Sequence, residues 1–475
     1  MALQPRRRAV FVVTALGSFM AALDLSIVNV AFPSLQSSYA QDSRATLAWV
    51  ITAYSIVFGA LLVIGGRTAD RLGRRRTFLA GTGVFLLGSL LCGIAPNVPV
   101  LVASRVVQAA GAAFLVPASL ALLIGAYPPE RRTQMVALWG GIGALAVATG
   151  PSLGALIVSA GGWRAAFLVN LPVGLAITVV GRRVLTESPR SDASAPDYVG
   201  VGMISIALAA VVAALTEGTD WGWTDPRILG AGALALVLGI AFVRRCRTHP
   251  QPAIDLTLFR ERSFSAANAA TLVYAAGFFA MLLGNVLFLT GVWHYSILRA
   301  GLAITPGPLV VAVVAGPAGR LAARIGFRPV LVAGGLFFAI GLAWYVLVVG
   351  STPQYLAQWL PGTLVVGLGI GLTFPVLSAA AVSSLPPHRF AVGSAVNQTA
   401  RQVGGALGIA VLVMLVGTTA GATDSVARFH RLWLFATVTA LLSGAVGALI
   451  PRPRAALSPA AELREPVAVA ATAGD

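Results

Sequence analysis

The sequence contains no lysine and few charged side chains of either sign. All 33 of its basic residues are arginine, Asp and Glu together number 16, and charged residues make up 10% of the 475 positions. Soluble domains carry about a quarter charged residues. A chain so poor in charge, 57% hydrophobic and with a mean hydropathy of +0.85, is too apolar for a soluble domain. We interpret it as a polytopic membrane protein.

These scarcities also exclude or disfavour several classes of protein. Without lysine, the chain has no Gly-rich phosphate-binding loop of the ATPase type, so it does not drive a pump with ATP on its own. Its four histidines are scattered and show neither metal-ligand spacing nor a nucleophile–base pair, so we expect no enzyme, no metal and no cofactor. The lack of a sizeable soluble domain disfavours a receptor.

Neither the two cysteines nor the net charge of +17 indicates a disulfide-rich or nucleic-acid-binding protein. Cys92 lies in an apolar run and Cys246 in a basic segment, so no disulfide framework is implied. The positive charge comes in short clusters between apolar runs rather than in a basic domain, and we therefore expect no nucleic-acid partner.

Long apolar runs alternate with short polar segments along nearly the whole chain. Lipid does not tolerate unpaired backbone groups, and these runs are longer than barrel strands, so we predict helices. The predicted fold class is an all-α polytopic membrane protein with 14 spans. The spans are 9–33, 46–66, 77–96, 98–123, 134–159, 165–182, 198–216, 228–243, 265–292, 301–318, 329–349, 357–382, 391–417 and 429–450.

Arginine placement orients these predicted spans. With a cytoplasmic N-terminus, 25 arginines fall on the inner side and six on the outer side. This asymmetry obeys the positive-inside rule. An even number of spans then leaves both termini in the cytoplasm, and the predicted location is the cell membrane.

One segment occurs twice. Gly66–Arg75 recurs as Gly319–Arg328, each time in a predicted inner loop after a span that runs inward. Such a repeat indicates a transporter made of two related bundles around a central site. The predicted domains are a cytoplasmic N-terminus (1–8), a six-helix bundle (9–183), a linker with two inserted spans (184–262), a second six-helix bundle (263–450) and a disordered cytoplasmic tail (451–475).

Asp24 is the only acidic residue well inside a predicted span. An ionised carboxylate there is costly unless it faces a polar cavity, so an intramembrane Asp is a functional-site candidate. We predict that Asp24 takes up and releases the proton or cation with which the protein works. The alternative is a structural carboxylate that stays paired with Arg105. Asn29, on another face of the same helix, is expected to hydrogen-bond to a neighbouring helix.

Two further polar groups accompany Asp24. Arg105 enters the membrane in predicted span 4 and reaches about the depth of Asp24, at ~1.5 Å per residue, and Gln108 follows one turn later. Arg105 needs a partner, unless it snorkels outward as a plain anchor. Asn397 and Arg401 lie on a second polar face in span 13, which either lines a cavity from the other half or packs helices together.

Several motifs together resemble the major facilitator superfamily and, within it, the fourteen-span drug:proton antiporter branch. The resemblance covers nearly the whole chain except the two tails. The matching segments are Asp24–Pro33, Gly66–Arg75, Arg105–Gln108, Gly150–Ala155 and Trp163–Gly174.

The resemblance implies a proton-coupled secondary transporter that exports lipophilic or cationic drugs from a bacterial cell by alternating access. It implies the proton gradient as driving force, and we expect a monomer. The alternatives are a dedicated exporter of an endogenous metabolite or antibiotic, and a proton symporter. Because Asp24 is the single buried carboxylate, we expect neutral or singly charged lipophilic cations to be favoured over dications; the competing possibility is an anionic substrate facing Arg105 and Arg401.

The resemblance also assigns two conformational motifs. It makes Asp70 a latch against the start of span 13 near Gly393, whereas a solvated charge run is the alternative. It makes the Gly-Pro of span 5 a mark of exporters, whereas an ordinary proline kink is the alternative. The residues of these motifs are Gly66, Asp70, Arg71, Gly73 and Arg74, and Gly150, Pro151 and Gly154.

Overall fold

The computed structural model describes residues 3–187, 197–385, 389–417 and 425–451, and they are helical almost throughout. A 3₁₀ turn at Leu256–Arg260 and a π-helical turn at Tyr355–Trp359 supplement the α-helices. The predicted disordered tail lies outside the described residues beyond 451. The α-helices are α1 (Leu3–Ser38), α2 (Arg44–Leu72), α3 (Arg74–Gly93), α4 (Val98–Ala126), α5 (Pro129–Leu168), α6 (Asn170–Val184), α7 (Tyr198–Trp221), α8 (Pro226–Thr248), α9 (Arg262–Gly291), α10 (Ile297–Ile304), α11 (Pro306–Ile325), α12 (Phe327–Val348), α13 (Leu360–Ser383), α14 (Phe390–Val416) and α15 (Ser425–Gly447).

The number of candidate spans is slightly lower than predicted. Within the described residues, 12 helices are long and apolar enough to cross a membrane, with α10 and α11 acting as one span. The number becomes 13 if the bent pair Thr149–Leu168 and Asn170–Val184, which meet at 41°, is one span. The predicted all-helical membrane fold is therefore confirmed, whereas the count of 14 remains a prediction.

The difference from the predicted count lies in α5 and α6. The chain stays hydrogen-bonded as a helix across the predicted loop between spans 5 and 6, but Gly161 and Gly162 leave helical geometry. Gly162 has a φ of 68°, which glycine adopts without the steric cost that a Cβ would bring. This break falls between the predicted ends at 159 and 165.

The helices form two packed groups with a hairpin beside them. Helices α1–α6 pack mainly against one another, and so do α9 and α11–α15, while α10 packs on α5. The two groups meet where α2 lies against α14, α5 against α10 and α1 against α9. The polar residues on these inner helices are thus enclosed by apolar neighbours.

The hairpin of α7 and α8 lies beside the seam between the two groups. Helix α7 contacts both α2 and α14, and Val212 packs in one buried cluster with Ile56 and Ala406. Helix α8 instead exposes apolar side chains, among them Leu236 (65% exposed) and Val237 (62%). Exposed side chains of this kind are expected on a helix that faces lipid.

The sequence repeat has the same backbone turn in both copies. Gly73 between α2 and α3 has a φ of 108°, and Gly326 between α11 and α12 has a φ of 91°. In the first copy the Glu187 carboxylate accepts hydrogen bonds from the N–H groups of Arg75 (3.0 Å) and Arg76 (3.2 Å), and a Cβ at Gly73 would lie 2.4 Å from Glu187 Oε1. Glu187 therefore caps the start of α3, and the positive φ of Gly73 favours glycine at this turn.

Candidate functional site: a buried ion pair in the first helix group

Polar side chains from several helices converge beside α1. Asp24 lies in the middle of α1, Arg105 and Gln108 lie one turn apart on α4, Ser89 lies on α3, and Asn170 opens α6. All five are buried. A polar cluster of this size in an apolar bundle persists only if its members satisfy one another.

Asp24 and Arg105 form an ion pair that is closed to solvent. Arg105 Nη1 donates to Asp24 Oδ2 at 2.6 Å, and both side chains are 0% exposed. Arg105 therefore has a carboxylate partner and does not snorkel outward, and the pair agrees with both interpretations of Asp24, as a proton-binding group and as a structural carboxylate. An isolated charge would be expensive at this position, so each residue makes the other tolerable.

The second carboxylate oxygen of Asp24 is held by two side-chain amides. Gln108 Nε2 donates to Asp24 Oδ1 at 2.8 Å, and Asn170 Nδ2 donates to the same oxygen at 3.0 Å. Both amides also donate to Ser89 Oγ, which in turn donates to the carbonyl of Phe167. These bonds satisfy Asp24 Oδ1 and tie α1 to α3, α4 and α6.

Arg105 is anchored independently of Asp24. Its Nε donates to the carbonyl of Val50 at 3.0 Å, and its Nη1 also donates to Gln108 Oε1 at 2.6 Å. The guanidinium carbon lies 4.0 Å from the centre of the Tyr54 ring, a cation–π distance. Two buried atoms, Arg105 Nη2 and the Tyr54 hydroxyl, find no hydrogen-bond partner among the described residues. The site thus holds unused donors beside the ion pair.

Sequence reasoning missed part of this cluster. Asn170 belongs to a segment that supports the family resemblance, but the resemblance assigns it no role, and no motif marks Ser89 or Tyr54. An Asn that follows a Trp-Arg pair and opens an apolar run is a weak signal that is visible in the sequence. The expectation for Asn29 is wrong, because its Nδ2 donates to the Leu25 carbonyl of its own helix at 2.7 Å.

The Gly-Pro segment of α5 lies directly against the helix that carries Asp24. A Cβ at Gly150 would lie 2.1 Å from Ser26 Oγ, and one at Gly154 would lie 3.2 Å from the Cα of Ile27. On the other side, a Cβ at Gly301 of α10 would lie 2.6 Å from the carbonyl oxygen of Pro151. Small residues thus let α5 pass closely between α1 and the second helix group.

The residues of the repeated loop lie at the end of α2. Asp70 Oδ1 accepts hydrogen bonds from Nε and Nη2 of Arg74 at 3.2 and 3.1 Å, in a pair that is partly exposed. Arg71 is exposed, and Gly66 is not crowded, since a Cβ there would lie 3.7 Å from its nearest neighbour, Pro117. The latch between Asp70 and the start of α14 stays a prediction.

The second polar face lies in the other helix group. Asn397 Nδ2 donates to Thr271 Oγ1 at 2.9 Å and approaches Asn268 Oδ1 at 3.3 Å. Arg401 Nη2 donates to Ser378 Oγ at 2.7 Å. These described bonds stay within α9, α13 and α14, so the structure separates this face from the Asp24 cluster. Within the described residues, no group of three or more His, Cys, Asp or Glu is placed to hold a metal.

A helical membrane protein with a buried, hydrogen-bonded ion pair inside one of two packed helix groups has the features of a transporter. The profile of the Major Facilitator Superfamily matches residues 14–409, and the chain belongs to this superfamily. The predicted family and the multi-pass cell-membrane location are confirmed. The family match identifies a transporter rather than an enzyme.

Curated relatives are similar over most of the chain. The Multidrug resistance protein Stp of Mycobacterium tuberculosis is 33% identical over 97% of this chain and 86% of its own length. The Methylenomycin A resistance protein of Streptomyces coelicolor is 34% identical over 85% of each chain. The Tetracenomycin C resistance and export protein of Streptomyces glaucescens is 32% identical over 86% of this chain and 75% of its own.

Solved structures support the fold alone. An auto-inhibited POT family peptide transporter superposes with a TM-score of 0.67 at 16% identity, covering 95% of this chain and 98% of that one. A peptide transporter POT in complex with sulfate gives a TM-score of 0.66 at 17% identity, covering 94% and 96%. At this identity the likeness carries no information on substrate.

Proposed function

We propose that the chain is a proton-coupled exporter of lipophilic or cationic drugs that works by alternating access. The names of its relatives, which include multidrug and antibiotic resistance proteins and one export protein, support export of small toxic compounds. The proposed architecture has 14 spans with both termini in the cytoplasm, two six-helix bundles at 9–183 and 263–450, and two inserted spans within 184–262. The proposed active form is a monomer that needs no cofactor.

The observation that carries proton coupling is the ion pair of Asp24 and Arg105, which is 0% exposed on both sides. Adding one proton to Asp24 removes its charge and most of its attraction to Arg105. Arg105 then keeps the Val50 carbonyl, Gln108 and the Tyr54 ring as partners. Breaking a buried ion pair costs about 3–5 kcal/mol. Proton binding is therefore linked to the position of α1 relative to α4.

We assign the remaining motif residues to the conformational change. The contact of Gly150 with Ser26 couples α5 to the helix of Asp24, and the positive φ of Gly73 shapes the turn after α2. The proposed gating set is Gly66, Asp70, Arg71, Gly73 and Arg74 at the loop, and Gly150, Pro151 and Gly154 in α5. Gln108 is assigned to the charge-partner group with Arg105, and Asn397 and Arg401 to the cavity.

The deciding experiment is transport of a lipophilic dye in inside-out vesicles, with and without an imposed pH gradient. We expect Asp24→Asn to insert in the membrane but to lose gradient-driven transport, because Asn cannot take up the proton. The matched control is Asp42→Asn, which removes a carboxylate from the turn between α1 and α2 and should transport normally. Full gradient-driven transport by the Asp24 variant would refute the proposal.

A dedicated antibiotic exporter is the second candidate function. Two of the relatives are named for resistance to a single compound, methylenomycin A or tetracenomycin C. A panel of unrelated lipophilic dyes in the same vesicles separates the two possibilities. Gradient-driven movement of several dyes indicates a multidrug exporter, whereas movement of none of them alongside a responsive antibiotic indicates a dedicated one.

A further inference from the structure

Arg401 lies half-buried in the middle of α14, where three helices of the second group meet. Its Nη2 donates to Ser378 Oγ of α13 at 2.7 Å, and its guanidinium carbon lies 4.5 Å from the centre of the Phe374 ring. Phe374 in turn makes edge contacts with Tyr274 and Phe278 of α9, at ring distances of 5.2 and 5.0 Å. The guanidinium thus contacts aromatic rings in the interior of the second helix group and not on the outer surface of that helix group.

Arg401 has no acidic partner among the described residues. The ion pairs found there involve other arginines, and the Arg401 Nε is a buried donor without a hydrogen-bond partner. A hydroxyl and an aromatic face stabilise a guanidinium only partly, and an intramembrane arginine normally pairs or marks a substrate pathway. The structure therefore leaves a cation with unused hydrogen-bonding capacity in the membrane interior.

Asp24 cannot neutralise Arg401 in this arrangement. Both of its carboxylate oxygens already accept hydrogen bonds, and its charge is balanced by Arg105. Arg401 also lies at another depth. Its neighbours on α14, Thr399 and Gln402, contact α2 at Gly59, nine residues beyond the Val50 carbonyl that holds Arg105. At ~1.5 Å per residue this is a separation of about 14 Å along the helix.

We propose that Arg401, with Ser378 and the Phe374 ring, is the subsite for a single negative charge on a lipophilic aromatic substrate. The guanidinium binds a carboxylate or an ionised phenol through charge-assisted hydrogen bonds, and the rings of Phe374 and Phe278 contact the aromatic body. This inference rests on the proposed export function and assigns lipophilic anions, in place of cations, as its substrate class. It favours anions over the cations that a lone carboxylate at Asp24 suggests.

A binding experiment on the purified full-length protein tests the subsite without requiring transport. The probes are three dansyl compounds of similar size: dansylglycine as the anion, its methyl ester as the neutral form, and a dansylaminoethyl trimethylammonium as the cation. We expect dansylglycine to bind at least tenfold more tightly than the other two. Arg401→Gln should lower the affinity ratio of anion to ester at least tenfold. Arg401→Lys should lower this ratio less, because lysine keeps the positive charge but lacks the planar guanidinium that can form two parallel hydrogen bonds.

The matched control is Arg431→Gln, which removes an exposed arginine from α15 and should leave the affinity ratio unchanged. If dansylglycine binds the wild-type protein no more tightly than its ester, the inference is wrong. It is equally wrong if Arg401→Gln leaves the ratio intact. The Lys variant and the wild-type comparison keep the test decisive should the Gln variant fail to fold.

Vesicle transport of the same probes separates this inference from the proposed function. Gradient-driven export of the ester or the cation, without preference for dansylglycine, would refute the anion subsite and leave proton-coupled export standing. Tight, Arg401-dependent binding of dansylglycine with no effect of the pH gradient on any probe would support the subsite and refute proton coupling.

Discussion

At the scale of single residues, the Asp24–Arg105 pair is stable only while both side chains are charged, and this links proton binding to the position of α1 relative to α4. Each charge would be costly alone in the membrane; together they are 0% exposed, and Gln108, Asn170 and the Val50 carbonyl add hydrogen bonds to the pair, although Arg105 Nη2 has no partner among the described residues. Such a pair contributes little net stability compared with an apolar replacement, but losing one partner is strongly destabilising. Any state in which only one of the two side chains is charged is therefore destabilised.

This asymmetry gives a prediction for paired substitutions. Asp24→Asn should lower the free energy of unfolding by about 3–5 kcal/mol, because Arg105 is left as an uncompensated buried charge. The double variant Asp24→Asn with Arg105→Gln should regain most of that loss but still show no gradient-driven transport. Thermal unfolding in detergent and the vesicle assay measure the two effects separately. A double variant that is as unstable as the single one would contradict this account.

The sequence predicts the charged part of this site well and the neutral part poorly. Asp24 and Arg105 stand out because charge is rare in the spans, and an arginine at matching depth needs a carboxylate. Ser89 and Asn170 do not stand out, since neutral polar residues recur along the spans and many bond only to their own helix. Asn29 shows the same difficulty, because a carbonyl one turn away competes with any neighbouring helix.

At the scale of helices, the close approach of α5 to α1 is the contact most directly coupled to Asp24. Gly150 lies against Ser26, two residues after Asp24, and Pro151 lies against Gly301 of α10. A shift of α5 therefore changes the packing of α1, which carries Asp24, and that of α10. The sequence predicts a tight helix–helix contact from the small residues, but it does not say which helix supplies the partner.

Crowding at this contact should impair transport more than stability. Gly150→Ala places a Cβ 2.1 Å from Ser26 Oγ, so α1 and α5 must move apart. We expect at least a tenfold loss of gradient-driven transport, with partial recovery in the double variant Gly150→Ala with Ser26→Gly. The matched control is Gly83→Ala in α3, which meets nothing within 4 Å and should transport normally. Equal activity of the two single variants would show that this contact does not control transport.

At the scale of the fold, the sequence predicts the helices but not all of their junctions. Long apolar runs and the repeated Gly66–Arg75 segment anticipate the membrane helices and the matching turns at Gly73 and Gly326. The cap that Glu187 forms on α3 joins residues more than 100 positions apart, and no local pattern signals it. The bend of 41° between Leu168 and Asn170 falls inside the predicted span 165–182, where the apolar run alone does not signal it.

For the whole molecule, the two groups are also tied through the segment that follows the inserted hairpin. The carbonyl of Gln251 accepts from Arg67 of α2 at 3.5 Å, and Asp255 lies 3.7 Å from Arg389 at the start of α14. Burial raises the pKa of Asp255, but hydrogen bonds from the Thr257 hydroxyl and N–H hold that pKa below its usual value. Asp255 is therefore ionised at every pH above the usual pKa range of an aspartic acid. Its negative charge lies near Arg67 of the first helix group and Arg389 of the second.

Neutralising Asp255 should loosen this tie without disturbing the local turn. Asp255→Asn keeps the oxygen that caps the 3₁₀ turn and removes only the charge, so Arg67 and Arg389 lose a shared counter-ion. A pair this exposed is worth about 0.2–1 kcal/mol, so we expect amide hydrogen exchange in the first turns of α14 to rise by up to about fivefold. The matched control is Asp225→Asn, which caps α8 in the same way but stands at the other end of the hairpin. If both variants exchange like the wild type, the segment does not hold the two groups together, and the inserted hairpin must act through its apolar contact with α2 and α14 alone.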